Sequence, residues 1–226
     1  MKCLIILLMP YFAFLINEFL RTSANKRLDS IGCEYLFNDI LDVLSCYIDK
    51  NANCYIIQSN RYSFALKKNS SAISIKAKNI YFSSDIVMAL HELGHYLDSR
   101  KNGISQLYNL CMLVPINRLL LLPLFVLNFM FYIFFNYNLF NEPFLCYILI
   151  IYYFISSYKL IIGSILEWRA SKIGLHLLKK QGCSERFADS SKRLLIHCLL
   201  NQLLLSVSFF TVIICIVFIQ YNIIII

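Results

Sequence analysis

Four runs of apolar residues dominate the chain: residues 3–20, 119–135, 144–166, and 199 to the C-terminus. Each is near the roughly 17 to 25 residues that carry a helix across a bilayer, so the pattern predicts about four transmembrane helices. Lys2 precedes the first run as in a signal peptide, but no small-residue cleavage site follows, and an uncleaved anchor is expected there. The polar portion that comes next, residues 21–110, is mixed in pattern. Leu36, Ile40, Leu44 and Ile48 recur four apart and predict an amphipathic helix over residues 34–48. Residues 55–82 hold short alternating segments, YIIQ, YSFAL, AISIKA and NIYF, which predict two or three strands. Ser83, Ser84 and Asp85 then offer capping hydroxyls and first-turn negative charge to a helix reading DIVMALHELGHYLDS. The expected organisation is an anchor over 1–20, a soluble portion over 21–110, a transmembrane hairpin over 111–166, a helical segment over 167–198 and a last span over 199–226. The fold class is a mainly α membrane protein with a small α+β soluble portion.

Charge sharpens the topology. Residues 21–110 carry 11 Lys/Arg against 8 Asp/Glu, and residues 159–193 carry 8 against 3. The link at 136–143 has no Lys or Arg and a single acid, Glu142. Both charged regions therefore belong on one face, and two crossings between them return the chain to it. By the positive-inside rule that face is the cytoplasmic side of a multi-pass cell-membrane protein, with both termini outside. Composition agrees: the 226 residues are 59% hydrophobic, against roughly 45 to 50% in soluble domains. Mean hydropathy is +0.63. The net charge of +8 is thus an orientation signal, which makes the lipid bilayer the expected partner and excludes nucleic acid. Nine cysteines, an odd set without a C-x-x-C pair, read as small buried hydrophobes rather than a disulfide framework. That points to a reducing compartment.

The helix at 85–99 carries the chemistry. His91 and His95 are four apart, so their imidazoles leave one helical face a turn apart and can bind the same ion. Zinc accepts neutral imidazole, and a catalytic site leaves a fourth position for water. Glu92, next to the first histidine, is placed to act as general base on that water. The neighbours Met88, Ala89, Leu90, Leu93, Gly94, Tyr96 and Leu97 are uncharged, as a buried helix requires. Gly94 costs about 1 kcal/mol relative to Ala in a helix interior, which hints at close packing or substrate approach. For the third ligand Glu167 is preferred, because it follows the third apolar run on the same expected membrane face; its bland alternative is an ion pair with Arg169 or Lys172. Asp98, His176 and His197 are the other candidates. Asp98 is better suited to a supporting or helix-terminal role.

The segments HELGHYLDS, LVPINRLLLLPL at 113–124 and EWRAS at 167–171 resemble the neutral zinc metallopeptidase family, the YugP-type bacterial membrane peptidases. IGCEYLFNDILDVLSCYID at 31–49 is similar to its N-terminal Gly-x-Glu helix. The resemblance covers most of residues 30–210. It implies a zincin-like soluble portion, Zn2+ held by His91, His95 and Glu167, Glu92 as the catalytic acidic residue, several membrane spans, and protein or peptide substrates. An Asp-rich turn associated with the family is not recognisable in NRYSFALKKNSS. More distantly the chain is similar to HtpX-like peptidases, with Ser171 standing where those carry an acid.

The expected activity is zinc metalloendopeptidase cleavage of membrane or membrane-proximal proteins. A site-2-type intramembrane protease needs its H-E-x-x-H inside a long apolar span, whereas here Asp85 and Asp98, Arg100 and Lys101 bound it. A non-enzymatic scaffold, immunity or metal-sensing factor is the third class.

Overall fold

A computed structural model describes residues 2–31, 44–48, 54–67, 70–76, 83–100, 122–135, 137, 140 and 142–220. Its elements are α1 (Lys2–Ile31), β1 (Cys54–Gln58), β2 (Ser63–Lys67), β3 (Ser70–Ile75), α2 (Ser83–Ser99), α3 (Leu122–Phe135), α4 (Glu142–Lys180) and α5 (Glu185–Gln220). The helix expected at 34–48 and the NIYF segment fall largely outside the described residues.

Among the described residues four transmembrane helices are not shown; these residues are mostly helical with one small three-stranded sheet. Among the described residues one helix, within Tyr147–Lys180 of α4, is long and apolar enough to cross a membrane. Its most apolar window is only 12% buried, so apolar surface stands open along it. The 14 residues of α3 rise only about 21 Å, short of the roughly 30 Å hydrocarbon core. Within α1 the apolar run at 3–20 holds one charge, Glu18, and Arg21, Lys26 and Arg27 follow it; in α5, Glu185, Arg186, Asp189, Lys192 and Arg193 precede the apolar run from 199.

The chain divides into two compact units. One comprises Met1–Asn17, Leu110–Ser164 and Leu200–Ile226. Its small core gathers Phe125, Ile148, Tyr152 and Ile213, with Phe125 and Tyr152 edge-to-face at 6.1 Å. Asn17 donates to Asn201 at 3.2 Å, a polar tie between α1 and α5.

The second unit, Glu18–Asn109 with Ile165–Leu199, holds the larger core and the conspicuous helix α2. Strand order is β1-β3-β2, with β1 parallel and β2 antiparallel to the central β3. Alternation along β3 buries Ser71, Ile73 and Ile75, and those isoleucines share one core with Ile86, Leu90 and Leu93 of α2. Fourteen of the 17 residues of α2 are buried, which is what a helix enclosed on all sides requires. Its first turn is capped from a distance: Ser84 N–H donates to Asp29 Oδ1 at 2.8 Å, so α1 satisfies a donor that the local hydroxyls were expected to take. After α4, Gly182 adopts φ 79° and closes the helix through Gly182 N–H donating to the Lys179 carbonyl. Ser184 then caps α5 by accepting from Phe187 N–H at 3.3 Å. Among the described residues Cys46, Cys54, Cys183 and Cys198 are not joined in disulfides.

Candidate metal centre

Two helices build the site, and the distance between them is set by small residues. A Cβ at Gly94 would lie 2.3 Å from the Ala170 carbonyl oxygen, and one at Gly174 would lie 3.0 Å from the Leu90 carbonyl oxygen. Backbone therefore meets backbone where α2 crosses α4. Gly94 is a close-packing glycine, with its neighbour supplied by α4.

This contact brings the expected ligands together. His91 Nε2 is 3.0 Å from Glu167 Oε2, and His95 Nε2 is 3.5 Å from Glu167 Oε1. The ligand atoms of the three side chains all lie within 4.8 Å of one another. The imidazoles stand nearly perpendicular, 82° apart with centroids 4.7 Å apart, so both Nε2 atoms aim at one carboxylate. His91 and His95 are 5% and 6% exposed. Two imidazole nitrogens and one carboxylate oxygen, buried and convergent, fit a divalent metal ion and leave a fourth position of a tetrahedron open.

Supporting contacts fix the donors. Ser171 Oγ lies 3.2 Å from His91 Nδ1; in the tautomer that leaves Nε2 free, Nδ1–H donates to that hydroxyl and holds the ring. Phe64 of β2 stacks on His95, with centroids 6.1 Å apart and planes 11° apart. The alternative partners of Glu167 are engaged elsewhere. Arg169 donates to Asp98 through Nε at 2.9 Å and Nη2 at 2.8 Å, and Lys172 sits over the Trp168 ring at 5.4 Å. Asp98 is wholly buried and belongs to a brace between α2 and α4. His176 is exposed on α4, and His197 is half-buried on α5; neither belongs to the cluster.

Glu92 is 6% exposed and lies in the same electrostatic field. Burial pushes its carboxyl up to about 7, with the Glu167 charge adding to the rise and His91 opposing it. A carboxyl poised near neutral pH can both accept and return a proton.

Sequence assigned Asp98 a supporting role and offered Arg169 as a partner for Glu167, but it singled out neither Phe64 nor the pairing of Arg169 with Asp98. An aromatic at the centre of an alternating strand was the only signal for the first, and an acid one turn past His95 the only one for the second. No protein family, curated protein or solved structure matches this chain.

Proposed function

We propose that the chain is a membrane-bound zinc peptidase that hydrolyses peptide bonds of membrane or membrane-proximal proteins. The observation that carries this is the convergence of His91, His95 and Glu167, with Glu92 on the same turn of α2. When bound, zinc would supply Lewis acidity, making a water more acidic and polarising the scissile carbonyl. Glu92 takes the proton from the attacking water and returns it to the leaving amine, a role that a carboxyl near pH 7 suits. Ser171 orients His91, and Gly94 against Ala170 keeps Glu167 within reach of both imidazoles.

Beside His95 runs β2, which lies at one end of the strand order among the described residues. An extended peptide pairing there would run past the Phe64 ring that stacks on His95. The apolar stretch of α4 leads into Glu167, which favours substrates at the bilayer surface, and the Lys/Arg excess favours its cytoplasmic side.

A non-enzymatic metal-binding protein would use the same three ligands and have no need of Glu92. The two readings part on Glu92→Gln, tested in cells by proteomic comparison of membranes with those of wild type. Uncleaved membrane proteins should accumulate in the variant; identical proteomes with an unchanged phenotype would exclude a peptidase.

A further inference from the structure

A second site lies away from the metal centre, in the cleft between the polar half of α1 and the start of α5. It is formed by Leu20, Ser23, Ala24 and Arg27 of α1 with Ser190, Arg193 and His197 of α5. Each set falls at spacings of three, four and seven, so each is a single helical face. Such seams ordinarily close by interlocking apolar side chains. Here small residues leave a cavity of ≈ 170 Å³, lined among others by Arg27, Arg193, His197, Ser23 and Ser190.

The lining carries no carboxylate. Among the described residues neither the Arg27 nor the Arg193 side chain has a hydrogen-bond or ion-pair partner, although acids are close in sequence. Glu18 is taken by Arg21 at 2.9 Å, and Asp29 caps α2 through Ser84. Asp189, four residues before Arg193, forms no ion pair with it. Two arginines without acidic partners, lining a concavity together with two serines, are the chemistry of a phosphate site. The volume is well below the roughly 300 Å³ at which pockets for whole organic ligands begin, so the cleft accepts a head group rather than a cofactor.

The surface beside it identifies what carries the phosphate. Leu20, Ser23 and Arg27 form one row along α1, and the row passes from an exposed apolar residue, Leu20 at 45%, to the cationic cleft. Phe19, 75% exposed, widens the apolar part. This is an amphiphile's outline: a phosphate in the cleft, with acyl chains along α1.

We infer that this cleft binds the phosphate group of a phospholipid through Arg27, Arg193 and the hydroxyls of Ser23 and Ser190. It needs neither the metal nor Glu92. The test is native mass spectrometry of the full chain in a non-ionic detergent, with phosphatidic acid and, as a phosphate-free control, diacylglycerol. Wild type should retain phosphatidic acid and not diacylglycerol. Arg27→Gln and Arg193→Gln, both exposed positions, should each weaken retention at least tenfold with unchanged melting temperature. Lys179→Gln/Lys180→Gln, which removes two exposed charges outside the cleft, should leave it intact. Equal retention by the arginine variants, or equal loss in the lysine control, would overturn the site. A parallel arm measures thermal protection by inorganic phosphate at constant ionic strength. Protection by free phosphate without retention of phosphatidic acid would overturn the lipid as its source.

Discussion

Replacing Gly94 by alanine tests how the metal centre is held. The added Cβ would sit 2.3 Å from the Ala170 carbonyl oxygen and 3.1 Å from Ala170 Cα. Ordinary nonbonded contacts require roughly 1 Å more than the first distance, so α2 and α4 must part or tilt by about that much. Two terms then oppose each other. Helix propensity favours alanine by about 1 kcal/mol. Overpacking a filled contact costs about 1 to 3 kcal/mol. The expected net effect on the metal-free chain is a loss of up to about 2 kcal/mol. The metal centre should lose more than the fold does, because Glu167 lies one turn before Ala170 while His91 and His95 flank Gly94. A shift of roughly 1 Å acts directly on the donor distances, and zinc affinity should fall at least tenfold, about 1.4 kcal/mol. Unfolding is followed by circular dichroism in detergent with a chelator present, and zinc affinity by competition with a chromophoric chelator. Gly163→Ala, where a Cβ would meet nothing within 4 Å, serves as control and should bind zinc as wild type does. If Gly94→Ala were more stable than wild type and bound zinc equally well, the close approach of the two helices would be refuted.

The brace should respond asymmetrically: Arg169→Gln leaves the wholly buried Asp98 carboxylate without its guanidinium, at a cost of about 2 to 3 kcal/mol, whereas Asp98→Ala leaves an arginine 37% exposed that water can solvate, so urea midpoints should fall further for the first. Ser171→Ala should weaken zinc binding about tenfold while leaving the circular dichroism spectrum unchanged. Metal-free wild type should lose stability as pH rises: the folded-state value of Glu92, about 7, exceeds its ordinary 4.5, so the folded state binds the extra proton between them. That contribution is fully present below about pH 4.5 and lost through about pH 7, an interval on the order of 3 kcal/mol, and Glu92→Gln should abolish the trend in urea titrations run with a chelator.

The parts of the site written into local spacing were legible in sequence. His91, Glu92 and His95 need only a helix to share a face, and the apolar neighbours signalled that this helix is buried. Glu167 was reached by counting charges along the chain, and the structure puts its carboxylate between the two imidazoles. Alternation at 55–82 announced strands, and three are present within residues 54–75. What sequence left hidden is tertiary. The Asp29 cap on α2 comes from 55 residues upstream, and the Asp98–Arg169 brace joins residues 71 apart. No local pattern encodes either. The expectation of four spans is not met among the described residues, where only a stretch within Tyr147–Lys180 is long and apolar enough to cross a membrane and α3 is too short to do so.

The most direct test of the central claim uses purified wild-type and Glu92→Gln chains in detergent, with zinc content and cleavage of a membrane-proximal polypeptide measured on the same samples. Both should hold about one zinc per chain, and only wild type should cleave. Cleavage by Glu92→Gln at the wild-type rate, or a wild-type chain without zinc, would contradict the account.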